Sequence, residues 1–513
     1  MTKYLGILLL LLAVSHGYKI LGLFPHPAIS HYQFFQPIFR GLADAGHEVT
    51  IVSHFPDKSP PAHYRDIVMH SSNTLMNSVD LNWFIKQQSF YSHFSEFFLL
   101  YQWGIDHCNA TLKSKAIQTL LRDKHKEKYD VIITEQFNSD CMMGLAHALS
   151  PGTPVIALSS CAIMPWYYDR YAVPMNPSYN PVVFFGQNED MNFLERLGNW
   201  ITYHAFNAMY KYYSTPAADA LIRYKFGHDM PSTADLGKET SLLFVNQHYS
   251  LSGARALSPQ VIELGGIHIQ KAKTLDVELQ RYLDSADNGV VYISWGSMIR
   301  AETLPYEKRE GILRAIRRLK QKVIWKFENA TLTNKPENLL ISKWLPQREI
   351  LCHPNVKAFM THGGLMGTSE AAYCGVPTVV TPIYGDQFLN ANAMKYREMG
   401  VILKFDDINE NSVFRALRTV LEKRYQDNAK NVSFSYRHRP KQALETAIWW
   451  TEYIAKTEGG SLLKSKATHM SAFEFYCLDI YLFWVVLALG LFLLAKLLVK
   501  KMFARVPKKV KSH

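Results

Sequence analysis

The chain has 513 residues, of which 48% are hydrophobic and 19% charged, a composition that excludes disordered, collagen-like and small disulfide-rich proteins. At about 100–200 residues per domain, this length predicts two or three separate cores. The formal net charge is +12, and residues 477–513 supply half of it, with seven basic residues against Asp479. The excess is therefore concentrated in a tail, which argues against a nucleic-acid-binding surface. The six cysteines lack the spacing of a zinc site and leave room for one or two disulfides.

The first seventeen residues have the pattern of a cleavable secretory signal. Lys3 precedes an apolar run from Leu5 to Val14, and small or polar residues follow up to Gly17. The apolar run is too short to span a bilayer. We therefore predict a signal peptide over residues 1–17 and entry into the secretory pathway.

Short apolar strands alternate with helical segments from residue 18 onward. The predicted elements of this first part are strands at Tyr18–Phe24, Val49–Ser53, Tyr129–Thr134 and Val155–Leu158, and helices at Tyr32–Ala45 and Asp140–Leu149. The order strand, helix, strand is that of βαβ units. We assign residues 18–250 to a first domain of this kind.

The alternation restarts after a polar stretch around residues 250–259. It predicts strands at Val290–Ser294, Val323–Phe327, Val356–Met360 and Thr378–Thr381, and helices at Leu304–Leu319, Gly364–Cys374 and Phe388–Met399. Such alternation is typical of a parallel sheet that is covered by helices on both faces. The sequence therefore predicts an α/β protein with a second domain over residues 251–455. Two such domains create a cleft, and ligands of open parallel sheets bind at the carboxyl ends of the strands.

The carboxyl-terminal region predicts one membrane span. Ile480–Val499 is almost entirely apolar and is long enough to cross the ~30 Å hydrocarbon core of a bilayer. The basic residues that follow it favour a cytoplasmic tail. We predict a juxtamembrane segment over 456–476, a transmembrane helix over 477–499 and a basic cytoplasmic tail over 500–513, which makes the protein single-pass and type I.

Two further patterns agree with this topology. Lys509 and Lys511 resemble the dibasic retrieval signal of endoplasmic-reticulum membrane proteins. The three acceptor patterns for N-glycosylation, at Asn109, Asn329 and Asn431, all lie on the side that this topology makes lumenal. We therefore expect a glycoprotein of the endoplasmic-reticulum membrane with lumenal domains.

The stretch from Trp344 to Asn392 carries the clearest chemical pattern: WLPQREILCHPNVKAFMTHGGLMGTSEAAYCGVPTVVTPIYGDQFLNAN. Within it, a strand leads through His362 and a Gly363-Gly364 turn into a helix. Glycines let backbone amides approach a ligand closely, and the start of a helix favours phosphate. The pattern predicts an anion site next to an imidazole.

The whole segment closely resembles the signature of the UDP-glycosyltransferases of glycosyltransferase family 1, particularly the insect members. The resemblance continues through FVNQHYSLSGARALSPQVIELGGIHI at Phe244–Ile269, ISWGSM at Ile293–Met298 and both end segments, so it covers essentially the full chain. It implies two facing Rossmann-like doubly wound domains with an interdomain cleft, the first for the acceptor and the second for the UDP-sugar. It also implies inverting, metal-independent transfer without a further cofactor.

Carried over residue by residue, the resemblance implies a complete nucleotide site. Trp344 would stack on uracil, Gln347 would hydrogen-bond its edge, and Glu370 would accept bonds from the ribose hydroxyls. His362 would contact the diphosphate, with help from Ser297.

The backbone at the start of the following helix would also contact the diphosphate, at Gly364, Gly367 and Thr368. Asp386 and Gln387 resemble the acid–amide pair that holds hydroxyls of the transferred sugar. Many relatives have Asn where this chain has Met366, so backbone contacts must replace one side-chain contact to phosphate.

The candidate catalytic base lies in the first domain. FPHPAISHYQFFQPIFRGLADAGHEVT at Phe24–Thr50 resembles the first strand, loop and helix of the family, and its spacing puts the base at His31. An acceptor hydroxyl is a poor nucleophile until a neutral imidazole takes its proton. His26 is the alternative within the same loop.

A base of this kind normally has a carboxylate behind it that orients the ring. In relatives this residue is an Asp that follows the strand equivalent to Tyr129–Thr134. Direct register gives Glu135, whereas Asp140 is the Asp of the loop that follows. We favour Asp140 for its residue type and keep Glu135 as the alternative.

The resemblance implies a detoxification enzyme that transfers a hexosyl group, and GDQF at Gly385–Phe388, which is similar to the insect members, favours glucose. Aromatic stretches at Met69–Tyr101 and Pro174–Tyr213 favour lipophilic acceptors such as phenols, steroids or plant toxins. The alternatives are UDP-glucuronic acid as donor and a non-catalytic lumenal binding protein of the same fold. The expected partners are a UDP-sugar, a small lipophilic acceptor and membrane lipid, with no nucleic acid; a homo-oligomer is left open.

Overall fold

The computed structural model describes residues 17–69, 75–83, 93–329 and 332–504. The predicted signal peptide, except Gly17, and the lysine pair of the predicted tail lie outside these residues. The described chain forms two compact units, one ending at Lys464 and the other beginning at Ser465.

The described residues contain fifteen strands. They are β1 (Lys19–Leu23), β2 (Glu48–Ser53), β3 (Tyr64–Val68), β4 (Val79–Asp80), β5 (Val131–Glu135), β6 (Val155–Ser159), β7 (Leu242–Val245), β8 (Val261–Glu263), β9 (Val290–Ser294), β10 (Ile299–Arg300), β11 (Lys322–Lys326), β12 (Leu339–Ser342), β13 (Val356–Thr361), β14 (Thr378–Val380) and β15 (Gly400–Ile402).

The helices of the first half are α1 (Ile29–Asp44), α2 (His93–Lys113), α3 (Lys115–Arg122), α4 (Cys141–Leu149), α5 (Phe193–Met209), α6 (Thr215–Phe226), α7 (Thr233–Lys238) and α8 (Tyr249–Ser252). Those of the second half are α9 (Val277–Asp284), α10 (Tyr306–Arg317), α11 (Gln347–Leu351), α12 (Leu365–Cys374), α13 (Gln387–Tyr396), α14 (Glu410–Val420), α15 (Lys423–Arg437) and α16 (Ala443–Lys456). Two helices follow Ser465, α17 (Ala472–Phe475) and α18 (Leu478–Ala504).

The first sheet has seven parallel strands in the order β3-β2-β1-β5-β6-β7-β8. Its central strands are buried except at their first residues, and VIITE of β5 is buried throughout, because helices cover both faces of a parallel sheet. The predicted strands and helices of this part are confirmed. The edge strands β3 and β8, and the strand β7 next to β8, were not predicted.

The second sheet has six parallel strands in the order β12-β11-β9-β13-β14-β15. The four predicted strands form its centre, and the additional strands β12 and β15 are its two edges. The structure therefore confirms the prediction of two doubly wound α/β domains within one chain.

The boundary between the two domains differs from the predicted one at two places. β8 lies beyond residue 250, yet it pairs with β7 at the edge of the first sheet. α16 lies before residue 455, yet Ala447 and Ile454 are buried in the core of the first sheet, together with residues of α1. Edge pairing and a returning helix depend on tertiary contacts, which the local pattern does not contain.

A short parallel ribbon links the two halves. β4 of the first half pairs with β10 of the second, with Val79 opposite Ile299. Next to it, the guanidinium of Arg300 donates to the carboxylate of Asp80 at 2.7 Å. The ribbon therefore ties the first half to the loop that follows β9.

The second unit contains the helix α18, of which Leu478–Phe503 is long and apolar enough to cross a membrane, with a mean hydropathy of 2.6. Its apolar side chains are exposed, as expected for a surface that faces lipid and unlike a core helix. The predicted span over residues 477–499 coincides with this helix.

Candidate active site

His31 lies in the first turn of α1, next to the end of β5. β1 and β5 are neighbours in the sheet, so the helix that follows β1 stands beside Glu135, the last residue of β5. Nδ1 of His31 donates to Oε1 of Glu135 at 2.6 Å. With the proton on Nδ1, the lone pair of Nε2 is available to accept a proton.

Asp140 has a different partner, so our preference for it over Glu135 is corrected. Its two carboxylate oxygens accept from the guanidinium of Arg170 at 2.6 and 2.5 Å, and both side chains are buried. Asp140 directly precedes α4, and the paired geometry commits its carboxylate to Arg170. The structure therefore brings Glu135, and not Asp140, to His31.

Ser160 completes the surroundings of this pair. It follows β6, which is the neighbour of β5 in the sheet. Its hydroxyl oxygen lies 2.7 Å from Nδ1 of His31 and 2.9 Å from Oε1 of Glu135. Three polar groups thus meet at the carboxyl ends of three adjacent strand units.

His26 lies next to His31, with ring centroids 4.4 Å apart. Burial and the neighbouring His31 and His107 hold the pKa of His26 well below its usual value, so this ring is neutral. Among the described hydrogen bonds, none joins His26 to a carboxylate. The geometry therefore favours His31 over its alternative.

The turn between β13 and α12 has the shape that the sequence predicts. The ring of His362 packs between two glycines, since a Cβ atom at Gly296 or Gly364 would lie 2.7 or 2.5 Å from it. Burial, and then the nearby charge of Lys326, lowers the pKa of His362 to about 3. His362 is therefore a neutral imidazole beside the start of α12.

The predicted uracil and ribose residues lie together at one end of the second half. Nε2 of Gln347 donates to Oε2 of Glu370 at 2.6 Å, and burial raises the pKa of Glu370 to about 7. The ring of Trp344 is 56% exposed, with the Lys326 ammonium 5.9 Å from its centroid. An exposed indole can stack on a nucleobase such as uracil, and a half-buried carboxylate can accept hydrogen bonds from ribose hydroxyls.

The remaining predicted diphosphate residues surround the same turn. Ser297 lies in the loop after β9, and a Cβ at Gly367 would lie 3.3 Å from Nε2 of Gln347. The hydroxyl of Thr368 donates to the carbonyls of Gly364 and Leu365, and its backbone amide also donates to the carbonyl of Gly364, so both donors of Thr368 are used within the helix.

The loop at Gly385–Gln387 is fixed on the same turn. Nδ2 of Asn390 donates to Oδ2 of Asp386 at 3.0 Å and to the carbonyl of Gly363 at 2.9 Å. Oε1 of Gln387 accepts from the backbone amides of Ile383 and Tyr384. Asn390 therefore connects the predicted sugar loop to the predicted diphosphate turn.

Glu96 approaches this loop from the first half. It lies in the first turn of α2, and its Oε1 accepts from the amide of Gly385 at 3.4 Å. Its other oxygen is buried and has no hydrogen-bond partner within the described part of the chain. Burial and the neighbouring Asp386 raise the pKa of Glu96 to about 7.

His31 also acts on this loop across the cleft. Burial raises the pKa of Asp386 to about 6, while the hydrogen bond from Asn390 and then the charge of His31 act in the opposite direction. The imidazole of His31 in the first half therefore interacts electrostatically with the carboxylate of Asp386 in the second half.

Comparison with known proteins agrees with this geometry. The family model described as "UDP-glucoronosyl and UDP-glucosyl transferase" matches residues 24–512. The chain belongs to this family. UDP-glycosyltransferase UGT5 of Dactylopius coccus is 35% identical over 94% of the chain and 92% of the relative, and UDP-glucosyltransferase 2 of the same insect is 34% identical over the same shares. UDP-glucuronosyltransferase 1A7 of Rattus norvegicus is 28% identical over 90% of the chain and 87% of the relative.

Solved structures show the same fold. The spinosyn forosaminyltransferase SpnP superposes with a TM-score of 0.57 at 16% identity, over 86% of this chain and 99% of the other. The glycotransferase of kitacinnamycin gives a TM-score of 0.55 at 16% identity, over 85% and 99%. This UDP-glycosyltransferase therefore has two facing Rossmann-like domains, and it is a transferase that uses a UDP-sugar and an acceptor.

Four residues at this site were missed by the sequence analysis: Ser160, Glu96, Lys326 and Asn390. Ser160 and Lys326 occur where apolar strands end, at the edge where parallel sheets bind ligands, so this position is the signal that could have identified them. Glu96 and Asn390 lie on amphipathic helices, where polar residues are normally solvent-exposed.

Two disulfides are formed within the described residues. Cys108–Cys141 joins α2 to α4, and Cys352–Cys374 joins the end of α11 to the end of α12. The second bond fixes the helix that carries Gln347 to the helix that carries Glu370.

Among the described residues, no group of three or more His, Cys, Asp or Glu side chains could hold a metal ion. The positive groups at the diphosphate turn are the start of α12 and the ammonium of Lys326, which also pairs with Glu328 at 2.8 Å. Metal-independent transfer stays a prediction.

The three predicted glycosylation sites differ in their surroundings. Asn329 lies in a loop and is exposed, and Asn431 is exposed on α15. Asn109 lies within α2, where the Thr111 of its acceptor pattern is buried and donates to the carbonyl of His107. Exposure therefore favours the first two sites.

Proposed function

We propose that this UDP-glycosyltransferase transfers a glucosyl group, with inversion, from a UDP-sugar to the hydroxyl of a small lipophilic acceptor. The observation that carries this proposal is the 2.6 Å bond between His31 and Glu135, opposite the loop of Asp386. It supplies an oriented imidazole base where an acceptor and a sugar would meet.

The base acts through Nε2 of His31. This nitrogen takes the proton of the acceptor hydroxyl while the oxygen attacks the anomeric carbon. The bond between that carbon and the UDP oxygen breaks as the new bond forms, so an α-linked donor gives a β-linked product. Glu135 accepts from Nδ1 and stabilises the imidazolium that results.

The leaving UDP is stabilised by groups of the second half. Its diphosphate binds the backbone amides at the start of α12, Ser297, the neutral His362 and the Lys326 ammonium, which are fixed before the reaction begins. Trp344 stacks on the uracil, Gln347 binds its edge, and Glu370 binds the ribose.

The acidic surroundings of the sugar favour an uncharged hexose. Asp386 and Glu96 both face the Gly385 loop, and none of the charges that shift their pKa values belongs to a lysine or arginine of the described residues. A uronate carboxylate would meet two acidic side chains there, and no lysine or arginine of the described residues would pair with it. Glucose is the neutral hexose that fits the Asp386–Gln387 pair.

Apolar surfaces next to the base favour a lipophilic acceptor. The ring of Phe137 lies 4.9 Å from that of His31 and 5.7 Å from that of His26. The neutral His26 and His107 can hydrogen-bond a phenol or alcohol without adding charge. Phenols, steroids and plant toxins are the proposed classes, and detoxification is the proposed role.

The proposed localisation is the endoplasmic-reticulum membrane. α18 would be its single transmembrane span, and the catalytic unit would lie in the lumen. The apolar helix, the basic residues after it and the two disulfides support this topology, because disulfides persist in oxidising compartments. Attached glycans at Asn329 and Asn431 would follow from it.

The donor preference can be measured with the full-length protein in membranes. With one phenol acceptor, UDP-glucose should be used far faster than UDP-glucuronic acid. Glu96→Gln should narrow this preference by up to about ten-fold, because one nearby charge contributes roughly 1–3 kcal/mol at such distances and a pKa of about 7 leaves Glu96 partly charged at neutral pH. Asp106→Asn, on the exposed face of α2, is the matched control and should leave the ratio unchanged. A preference for UDP-glucuronic acid would contradict the proposed donor.

A further inference from the structure

The hydroxyl of Ser160 is placed to control how Glu135 holds His31. Its O–H donates to Oε1 of Glu135 at 2.9 Å, the same oxygen that accepts from Nδ1 of His31. Its own oxygen lies 2.7 Å from that Nδ1. The N–H of His31 therefore points at two acceptor oxygens, and this arrangement fixes the proton on Nδ1.

The carboxylate of Glu135 needs a hydrogen bond that holds it in one orientation. Glutamate has one more methylene and one more rotatable bond than aspartate, so its carboxylate has more orientations to lose. A charge-assisted hydrogen bond from Ser160 restricts Glu135 to the orientation that meets the ring.

Ser160 is itself held firmly. Nδ2 of Asn246, the residue after β7, donates to the carbonyl of Ser160 at 2.9 Å. Both residues are buried. The backbone that carries this hydroxyl is therefore held by the neighbouring strand unit, and the hydroxyl reaches Glu135 without a substrate.

We propose that Ser160 is a positioning residue that acts through Glu135 to hold His31 in the tautomer and orientation that accept the acceptor proton. The proposal rests on His31 being the base. Ser160 does not touch the reacting atoms, and its effect should fall on the chemical step rather than on donor binding.

The test is a double-mutant cycle with Ser160→Ala and Glu135→Gln in the full-length enzyme. Ser160→Ala alone should lower kcat about ten-fold, equivalent to ~1.4 kcal/mol, with an unchanged KM for the UDP-sugar. In the Glu135→Gln background the same change should lower kcat less than about two-fold, because the restrained carboxylate is already absent.

Ser159→Ala is the matched control. Ser159 is equally buried, but its hydroxyl donates to the carbonyl of Ala162 and touches neither His31 nor Glu135. Its kcat should equal that of the unmodified enzyme. Binding of UDP by calorimetry verifies that each variant is folded, and Ser160→Gly provides a second removal of the same hydroxyl.

Two results would overturn the inference: an unchanged kcat in both Ser160 variants, or an equal loss in the presence and absence of the Glu135 carboxylate. His31→Ala distinguishes a failure of the base assignment from a failure of the role of Ser160. If it abolishes transfer while the cycle is additive, only the role of Ser160 fails. If it retains full activity, the base assignment fails and the role of Ser160 fails with it.

Discussion

Replacing Asp140 by Asn should destabilise the protein without removing the catalytic pair. The carboxylate of Asp140 makes two short bonds to Arg170, and both side chains are less than a tenth exposed. Hydrogen bonds to charged groups contribute about 1.5–3 kcal/mol each, and an uncompensated buried charge costs about 3–5 kcal/mol. Because Asn can keep one of the two bonds, we expect a loss of about 3 kcal/mol.

Replacing Glu135 by Gln should have the opposite effect: it should lower turnover and leave the stability of the protein nearly unchanged. Gln has nearly the same shape, so the free energy of unfolding should change by less than about 1 kcal/mol. Its neutral amide cannot stabilise an imidazolium at His31, so kcat should fall roughly 10²–10³-fold. Turnover at saturating donor and thermal unfolding are measured on the same preparations, where Asp140→Asn should lower the melting temperature by roughly 5 °C.

The two variants distinguish the two carboxylates directly. If Asp140→Asn kept its melting temperature and lost turnover a hundred-fold, Asp140 and not Glu135 would serve the base. If both variants kept their turnover, a carboxylate partner for His31 would be excluded.

Three further predictions concern nucleotide binding and the membrane. Trp344→Ala should weaken UDP binding, measured by calorimetry, by roughly 1–3 kcal/mol through lost stacking. Trp449 is another accessible indole, on α16, and Trp449→Ala should leave the affinity unchanged. Equal affinities of the two variants would show that Trp344 does not contact the uracil. Burial raises the pKa of Glu370 to about 7 and the charged form accepts the ribose hydroxyls, so the affinity for uridine should rise from pH 5.5 to 8; a Glu370→Gln variant with the same rise would contradict this. Deleting residues 477–513 should release the protein from membranes at alkaline carbonate with part of its activity, and a deletion variant that resists extraction would show a second anchor.

The sequence predicted the central strands of both sheets because each is a short apolar run between helices. The edge strands β3, β8, β12 and β15 are half-buried and short, and only their pairing partners make them strands. The packing of α16 on the first sheet likewise depends on tertiary contacts. Local periodicity identifies a helix there but not the surface that it covers.

The strands, turns and helices of the Trp344–Asn392 segment could be predicted because one contiguous stretch contains them. His362 and Asp386 lie on the loops that follow β13 and β14, and Glu370 lies within α12, the helix that follows the turn after β13. Glu370 contacts Gln347 through the packing of α11 on α12, which a disulfide reinforces.

Contacts between distant segments could not be predicted. The choice between Asp140 and Glu135 depended on residue type in the sequence, and it was decided in the structure by Arg170, thirty residues further along the chain. Ser160 reaches the pair from a third strand, and Glu96 reaches the sugar loop from the other half. None of these pairings has a local sequence signal.

The stereochemistry of one turnover tests the central claim most directly. The full-length protein in membranes is incubated with UDP-glucose, whose sugar is α-linked, and a simple phenol, and the anomeric proton of the product is observed by NMR. The account predicts a β-linked glucoside from the unmodified enzyme and none from His31→Ala, with UDP binding retained by both. An α-linked product, or undiminished transfer by His31→Ala, would contradict it.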